Sequence, residues 1–172
     1  MNIIEHFQNR QSARSFTHEH VPDDIIMESL EAGNLAPSAG NLQARDFIIV
    51  KEDDRKRALS KAAYSQDFLA EAPVVIVCCA NLDRIAGYRD RGRELYCIQD
   101  VAAAVQNILL YLSDAGYGTC WVGAFDEEIV SDLLRLPKQV RPLTMIPVGR
   151  VRTKEEPTSR IEIEDLVHYE EW

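Results

Sequence analysis

The spacing of hydrophobic residues along the chain predicts five helices. In the longest, from about Glu94 to Asp114, apolar side chains recur with a period near 3.6 residues, and Gly116 follows as the terminating residue. Its run of alanines, Ala102 to Ala104, predicts close packing on more than one side, which suits a central helix or a subunit interface. The other helices are predicted over residues 2–9, from Pro22 to about Ala36, from Asp53 to about Ala63, and over Glu127–Leu134 behind an Asp126 cap.

Runs of branched apolar residues predict four strands. They cover Phe47–Val50, Val74–Ala80, Thr119–Val122 and Pro142–Gly149. Because Pro147 lacks the N–H that a ladder needs, the last strand is predicted to end there or to lie at a sheet edge. Strand alternation sends the sulfur atoms of Cys78 and Cys79 to opposite faces, so this pair is not predicted to hold one metal ion.

Length and composition indicate one folded unit. With 172 residues, 46% of them hydrophobic, the chain is predicted to form a single domain over residues 1–172. Its 19 basic and 28 acidic residues give a net charge of −9, which argues against a nucleic-acid partner. The N-terminus carries no secretory leader pattern, and no apolar stretch approaches the roughly 20 residues that span a bilayer. A cytoplasmic protein without a membrane partner is therefore expected.

The spacing of the histidines and the composition of the C-terminal extension lead to two further expectations. His18 and His20 have no third ligand at a suitable interval, so no metal site is predicted. The C-terminal extension, about 150–172, is charged and yet retains apolar side chains that can dock on a neighbouring subunit. These are Ile161, Ile163, Leu166, Val167, Tyr169 and Trp172.

Three clusters carry candidate chemistry. Arg10, Ser12 and Arg14 alternate, so in an extended segment two guanidinium groups and a hydroxyl would face one anion such as a phosphate; the alternative is three solvated surface residues. The loop over Pro37–Gln43 offers small residues and amides that a ligand could approach, although most such loops are turns. The block Gly116–Asp126 has three glycines, but their spacing does not fit a dinucleotide-binding fingerprint.

Taken together, these blocks closely resemble the nitroreductase family of FMN-dependent oxidoreductases, in the same order and over essentially the whole chain. The matching blocks are Arg10–Phe16, Ala36–Gln43, Gln99–Asp100, Gly116–Asp126, Leu136–Pro137 and Ile146–Gly149. The resemblance implies an α+β fold with a central, mostly antiparallel sheet flanked by helices, in an intertwined homodimer that binds two FMN molecules at its interface. The chain is similar to the compact branch of the family.

The resemblance also implies a set of cofactor-binding residues. They are Arg10, Gln11, Ser12, Ala13, Arg14, Pro37, Ser38, Asn41, Gln66, Val122, Gly123 and Arg160. Arg10, Ser12 and Arg160 would face the phosphate or ribityl oxygens. Arg14 would face the N1/O2 edge of the flavin ring, where a fixed cation favours the anionic reduced flavin.

The remaining residues of that set are implied to contact other edges of the cofactor. Pro37, Ser38 and Asn41 resemble the contribution of the other subunit. Gln66 resembles the polar residue on the pyrimidine side of the ring. The backbone near Val122 and Gly123 would lie beside N5 and O4.

The implied activity is transfer of a hydride from NADH or NADPH through flavin N5 to an electron-poor acceptor such as a nitroaromatic or a quinone, by a ping-pong mechanism. FMN carries this chemistry, so no catalytic side chain is predicted, and no Ser-His-Asp, Cys-His or HExxH pattern is present in the sequence. The alternatives are a flavin or nucleotide sensor of the same fold with little turnover, and a flavin enzyme of different chemistry.

Two positions depart from the family pattern. Ala44 and Arg45 stand where many members have Pro-Trp, and Gln11 stands where many have a second basic residue. Loss of one charged contact at position 11 corresponds to about 1.5–3 kcal/mol of cofactor affinity.

Overall fold

The computed structural model describes residues 2–153, 155–156 and 158–172. Met1, Lys154 and Pro157, which belong to the predicted domain, lie outside the described residues. The strands are β1 (Arg45–Val50), β2 (Val74–Asn81), β3 (Gly118–Thr119) and β4 (Val140–Gly149). The helices are α1 (Ile3–Asn9), α2 (Asp23–Asn34), α3 (Asp53–Ala62), α4 (Phe68–Glu71), α5 (Arg89–Arg91), α6 (Cys97–Asp114) and α7 (Glu127–Leu134). Short 3-10 turns occupy Ala39–Asn41, Ala86–Tyr88 and Ile163–Leu166, and a π-helical turn occupies Gly92–Tyr96.

The four strands form one antiparallel sheet in the order β1-β2-β4-β3, which confirms the predicted α+β fold. In the middle of the sheet, Val77 pairs with Ile48 on one side and with Met145 on the other. Apolar side chains are buried on both of its faces. Cys78 lies in the core cluster that includes α6, whereas Cys79 lies in the cluster that includes α3 and α7, as strand alternation predicts.

Helix α6 is the central helix of the domain. Its buried side includes Val101, Val105 and Ile108, and these residues share a core cluster with Ile76 of β2. Helix α2 lies close against α6, because a Cβ added to Gly33 would lie 2.8 Å from Ile108 Cγ1. The helical stretch Ala86–Asp114 is long and apolar enough to cross a membrane by length and composition, contrary to expectation, with a mean hydropathy of 1.3 and 44% of the apolar window buried inside the protein. Within this stretch, one side of α6 is buried in the core cluster.

Pro147 occupies a central strand, so the prediction of a sheet edge was wrong. The Met145 N–H donates to the Val122 carbonyl at 2.9 Å, and successive strand residues alternate in direction. The Pro147 nitrogen therefore faces the stretch between β3 and Val122, where the ladder is interrupted. The predicted strand Thr119–Val122 is for the same reason reduced to β3 and an isolated bridge from Val122 to Met145.

The C-terminal extension leaves the sheet after β4. Every described residue from Val151 to Trp172 is exposed. Its apolar side chains are therefore not buried against the other described residues of the chain. Trp172, for example, is 100% exposed and stacks on His168 with ring centroids 4.3 Å apart. Docking of this extension on another subunit stays a prediction.

Candidate functional site

The segment that follows α1 runs in extended form along β3. Ser12 makes a parallel bridge with Thr119, and the Ala13 N–H donates to the Thr119 carbonyl at 2.8 Å. The Ala13 side chain is buried in a small cluster with Phe16. Because side chains alternate in an extended chain, those of Ser12 and Arg14 are turned the other way, as the sequence predicts.

The chain leaving β4 pairs with this same segment. Phe16 forms an antiparallel bridge with Val151, and the Arg152 N–H donates to the Ser15 carbonyl at 3.0 Å. This pairing brings Glu155, Glu156, Thr158 and Arg160 beside the segment near the beginning of the chain.

The two segments enclose a polar cavity of about 180 Å³. Five predicted site residues line it together: Arg10, Gln11, Ser12, Arg14 and Arg160. Gln8, Glu155, Glu156 and Thr158 complete the lining. The cavity thus gathers three guanidinium groups and two hydroxyl groups against two carboxylates. We call it the guanidinium cavity.

Glu155 is a site residue that the sequence analysis missed. Its Oε2 lies 2.9 Å from Arg14 Nη1, in an ion pair whose two side chains are about half exposed. The Arg160 guanidinium is turned back on its own segment, where Nη1 donates to Thr158 Oγ1 at 2.8 Å. No local spacing relates Glu155 to Arg14, since they are brought together by the pairing of the two chain ends.

Cys120 forms part of the surroundings of this cavity. Burial raises the pKa of its thiol, while the charge of Arg14 and a hydrogen bond with Ser12 act in the opposite direction. The thiol is therefore a neutral, buried group.

Gln11 and Ala13 lie toward a second cavity. This cavity, of about 470 Å³, is lined by both residues together with Tyr117, Gly118 and Arg152, among others. Gln11 lines the guanidinium cavity as well, and its buried Oε1 has no hydrogen-bond partner among the described residues. Ala13 lines the second cavity and not the first.

Gln66, Val122 and Gly123 form a separate group. Gln66 Nε2 donates to the carbonyls of Ala63 and Ala124, each at 3.0 Å, which fixes the side chain beside the glycine. Both backbone groups of Val122 are used in 2.9 Å hydrogen bonds with Met145. Gly123, which is exposed, is therefore the residue of this pair whose backbone can face a ligand.

The Pro37–Asn41 segment is the third part of the predicted site. Its backbone is tightly curved, with Gly40 and Asn41 in the left-handed region at φ values of 57° and 56°. Ser38 Oγ accepts the Gln43 N–H at 3.0 Å, and Gln43 Nε2 donates to Asn41 Oδ1 at 3.1 Å. Pro37, Ser38 and Asn41 do not line the guanidinium cavity of their own chain.

The whole length of the chain has counterparts in known proteins. The sequence profile of the nitroreductase family matches residues 7–66 and 55–150. The NADH dehydrogenase of Thermus thermophilus is 30% identical over 186 residues, which cover 92% of this chain and 91% of that protein. The FMN reductase (NAD(P)H) of Bacillus subtilis is 28% identical over 183 residues, which cover 98% of this chain and 73% of that protein.

Solved structures agree with these sequence matches. B. megaterium NfrA2 superposes with a TM-score of 0.93 at 25% identity, covering 100% of this chain and 76% of that chain. The profile match includes the four strands, and the superposition on NfrA2 covers both segments that form the cavity. The chain belongs to the nitroreductase family.

Proposed function

We propose that this chain is an oxidoreductase that uses FMN and NAD(P)H. The observation that carries the proposal is the guanidinium cavity, in which Arg10, Arg14 and Arg160 converge although the chain as a whole has a net charge of −9. The names of the two relatives, an NADH dehydrogenase and an FMN reductase (NAD(P)H), support the same activity.

The donors of the cavity fit the phosphate end of FMN. A phosphate monoester carries about −1.5 to −2 charges near neutral pH, and guanidinium groups bind its oxygens in bidentate pairs. Three guanidinium groups against two carboxylates leave the lining positive. Arg10, Ser12 and Arg160 would hold the phosphate, and the buried, unpaired Oε1 of Gln11 offers one further acceptor for a ligand hydroxyl.

Arg14 is the residue that we assign to the flavin ring. From its place in the cavity it would bring a fixed positive charge to the N1/O2 edge, and such a charge stabilises negative charge that develops on the ring. To take this role, Arg14 exchanges its ion pair with Glu155 for the cofactor. Gln66 and Gly123 would contact the other edges of the ring.

The chemistry that FMN supplies when bound is uptake of a hydride from NAD(P)H at N5 and delivery of electrons to an electron-poor acceptor, such as a nitroaromatic or a quinone, in two alternating half-reactions. The residues of the chain bind and orient the reactants. The four cysteines are buried, and burial raises the pKa of each thiol, that of Cys79 to about 12. These thiols stay protonated and so do not compete as nucleophiles.

The site is proposed to be completed in a homodimer. Within one chain the Pro37–Asn41 segment does not line the guanidinium cavity, and the C-terminal extension exposes a row of apolar side chains. Exposed apolar area of this extent is typical of an interaction surface. A second copy would cover the extension and supply Pro37, Ser38 and Asn41 to the cofactor.

Cofactor binding and turnover can be measured separately. Apoprotein titrated with FMN should quench the flavin fluorescence, and the loaded protein should oxidise NADH or NADPH when a quinone or a nitroaromatic is added. Absence of FMN binding would contradict the proposal. Binding of FMN without turnover on any of several quinones and nitroaromatics would contradict the enzymatic half and support a sensor.

A further inference from the structure

A buried pair of opposite charges lies beneath the Pro37–Asn41 segment. Arg45 begins β1, Asp100 lies in the first turn of α6, and the two residues are 3% and 4% exposed. Charged groups are seldom buried to this degree unless their hydrogen bonds are met. The hydrogen-bond partners of these two side chains therefore indicate which part of the structure they stabilise.

Arg45 binds backbone carbonyls at the end of α2 and beyond it. Its Nη2 donates to the carbonyls of Asn34 and Ala36 at 2.8 and 2.9 Å, and its Nη1 donates to that of Pro37 at 3.4 Å. Helix α2 has no basic residue in its own last turn. Arg45 thus supplies, from another element, the cation that the negative end of a helix favours.

Arg45 and Asp100 join the same segment to helix α6. Arg45 Nη1 also donates to the backbone carbonyl of Asp100 at 3.3 Å. Asp100 Oδ1 accepts the Ala39 N–H at 2.9 Å. The backbone is thereby held at Pro37 by the guanidinium group and at Ala39 by the carboxylate, so Ser38 lies between two fixed points.

Tyr88 packs against the same segment at Gly40. A Cβ added to Gly40 would lie 2.7 Å from Tyr88 Oη, which shows how closely the tyrosine packs on this glycine. Gly40 is also in the left-handed region, where a side chain adds strain. The segment is therefore contacted by Tyr88 at Gly40 and by the buried pair at Pro37 and Ala39.

The side chains of Arg45 and Asp100 form hydrogen bonds with backbone groups and not with each other. Burial lowers the pKa of Arg45, and the charge of Asp100 counteracts this shift. Arg45 Nε and Asp100 Oδ2 have no hydrogen-bond partner among the described residues, although both atoms are buried. A pair whose role was mutual neutralisation would join these atoms, whereas here the side chains bond backbone groups of residues 34–39 and the Asp100 carbonyl.

We propose that Arg45 and Asp100 are positioning residues that hold Pro37, Ser38 and Asn41 in the geometry needed to contact FMN. They act through the backbone of residues 36–39 and do not touch the cofactor. This inference rests on the proposed function, because it assigns the segment to the cofactor site. It also gives Arg45, which stands where many family members have tryptophan, a role inside the protein.

The test compares two buried cations that both bind carbonyls. Arg45→Met removes the clamp, and Lys56→Met is the matched control. Lys56 is 4% exposed and its Nζ donates to the Ala72 carbonyl at 2.8 Å, away from residues 37–41. Both substitutions remove a buried charge and leave carbonyls unpaired, so both should lower the thermal unfolding temperature.

Hydrogen exchange of the apoprotein and FMN titration then separate positioning from general stability. Arg45→Met should increase amide exchange in a peptide covering residues 35–44 and raise the Kd for FMN about tenfold, equivalent to 1.4 kcal/mol. Lys56→Met should leave exchange in that peptide unchanged and the Kd within about twofold. Equal effects of the two variants on exchange and on Kd would overturn the inference.

Conservative replacement of Asp100 provides a second test. Asp100→Asn keeps an Oδ1 that can accept the Ala39 N–H, so exchange of the 35–44 peptide and the Kd should remain near those of the parent protein. Asp100→Ala removes the acceptor and should behave as Arg45→Met does. If Asn and Ala at position 100 raise the Kd equally, the hydrogen bond to Ala39 does not position the segment and the inference fails.

Failure of the proposed function gives a different result. If the parent protein does not bind FMN, the proposed function and the cofactor half of the inference are both overturned. Exchange of the 35–44 peptide still decides in that case whether Arg45 and Asp100 hold the segment, because it is measured without a cofactor.

Discussion

Arg14 and Arg45 contact two parts of the same candidate site, and their surroundings differ sharply. Arg14 is half exposed and pairs with Glu155, from the distant end of the chain. Arg45 is buried and donates to four backbone carbonyls. A solvent-exposed ion pair is weak and exchanges easily, whereas a buried cation bound to carbonyls is hard to remove. The side of the site that carries Arg14 can thus exchange its ion-pair partner, whereas the Pro37–Asn41 side is held in a fixed position.

The contrast between the two arginines is tested most directly by replacing each of them with methionine. Arg45→Met should lower the free energy of unfolding by about 3–5 kcal/mol, because it leaves Asp100 and several carbonyls without a buried partner. Arg14→Met should lower it by less than about 1 kcal/mol in the apoprotein. Urea denaturation of both variants measures the difference, and similar losses would contradict the contrast.

Binding of FMN should stabilise the folded chain, and Arg14 should contribute to this gain. At a free FMN concentration of one hundred times Kd, the free energy of unfolding should rise by about 2.7 kcal/mol, because the ligand binds the folded chain. Arg14→Met should reduce this gain at the same FMN concentration. Thermal melts with and without FMN give the values, and a gain that is identical in the variant would remove Arg14 from the site.

Gly118 supports the segment that carries Arg14. A Cβ at this position would overlap Val151 Cγ2 and lie 2.8 Å from Ala13 Cβ, so it would push that segment away from β3. Gly118→Ala should lower the free energy of unfolding by about 1–3 kcal/mol and weaken FMN binding. Gly87→Ala is the control, because its added Cβ meets no described atom within 4 Å. Equal unfolding energies for the two variants would show that the segment is not tightly packed.

The smallest expected effect concerns Glu155. Glu155→Gln removes the ion pair that FMN must displace from Arg14, so the Kd for FMN should fall about threefold to tenfold, or roughly 0.6–1.4 kcal/mol. Glu156→Gln removes the same charge from the same cavity and leaves the Arg14 ion pair intact, so it should have a smaller effect. The gain should shrink at high salt, where exposed charges are screened. A weaker affinity in Glu155→Gln would mean that the carboxylate helps to place Arg14.

Some parts of the site follow from neighbours in the sequence. Ser12 and Arg14 point to one side because alternate residues of an extended segment do so, and the burial of Ala13 between them agrees with that rule. The helix α6 follows from its periodicity in the same way. Arg160 entered the site through a family resemblance and not through any spacing, and it does line the guanidinium cavity.

Other parts depend on elements that meet only in the folded chain. Glu155 reaches Arg14 because Val151 pairs with Phe16, and nothing local in either segment indicates that pairing. Pro147 is accommodated in a central strand because its nitrogen faces a gap in the ladder. The low strand propensity of proline gives no indication of such a gap. A charged residue such as Arg45 is expected at the surface, and its burial is explained only by the positions of α2 and α6.

By itself, the sequence determined the type and approximate bounds of the main helices and strands, the opposite faces of Cys78 and Cys79, and the common side of Ser12 and Arg14. These features depend on backbone periods that relate residues a few positions apart. The tertiary structure alone decided the order of the strands, the meeting of the two chain ends and the clamp formed by Arg45 and Asp100. These depend on contacts between residues far apart in the chain, where the favourable partner is selected by packing and by unmet backbone hydrogen bonds.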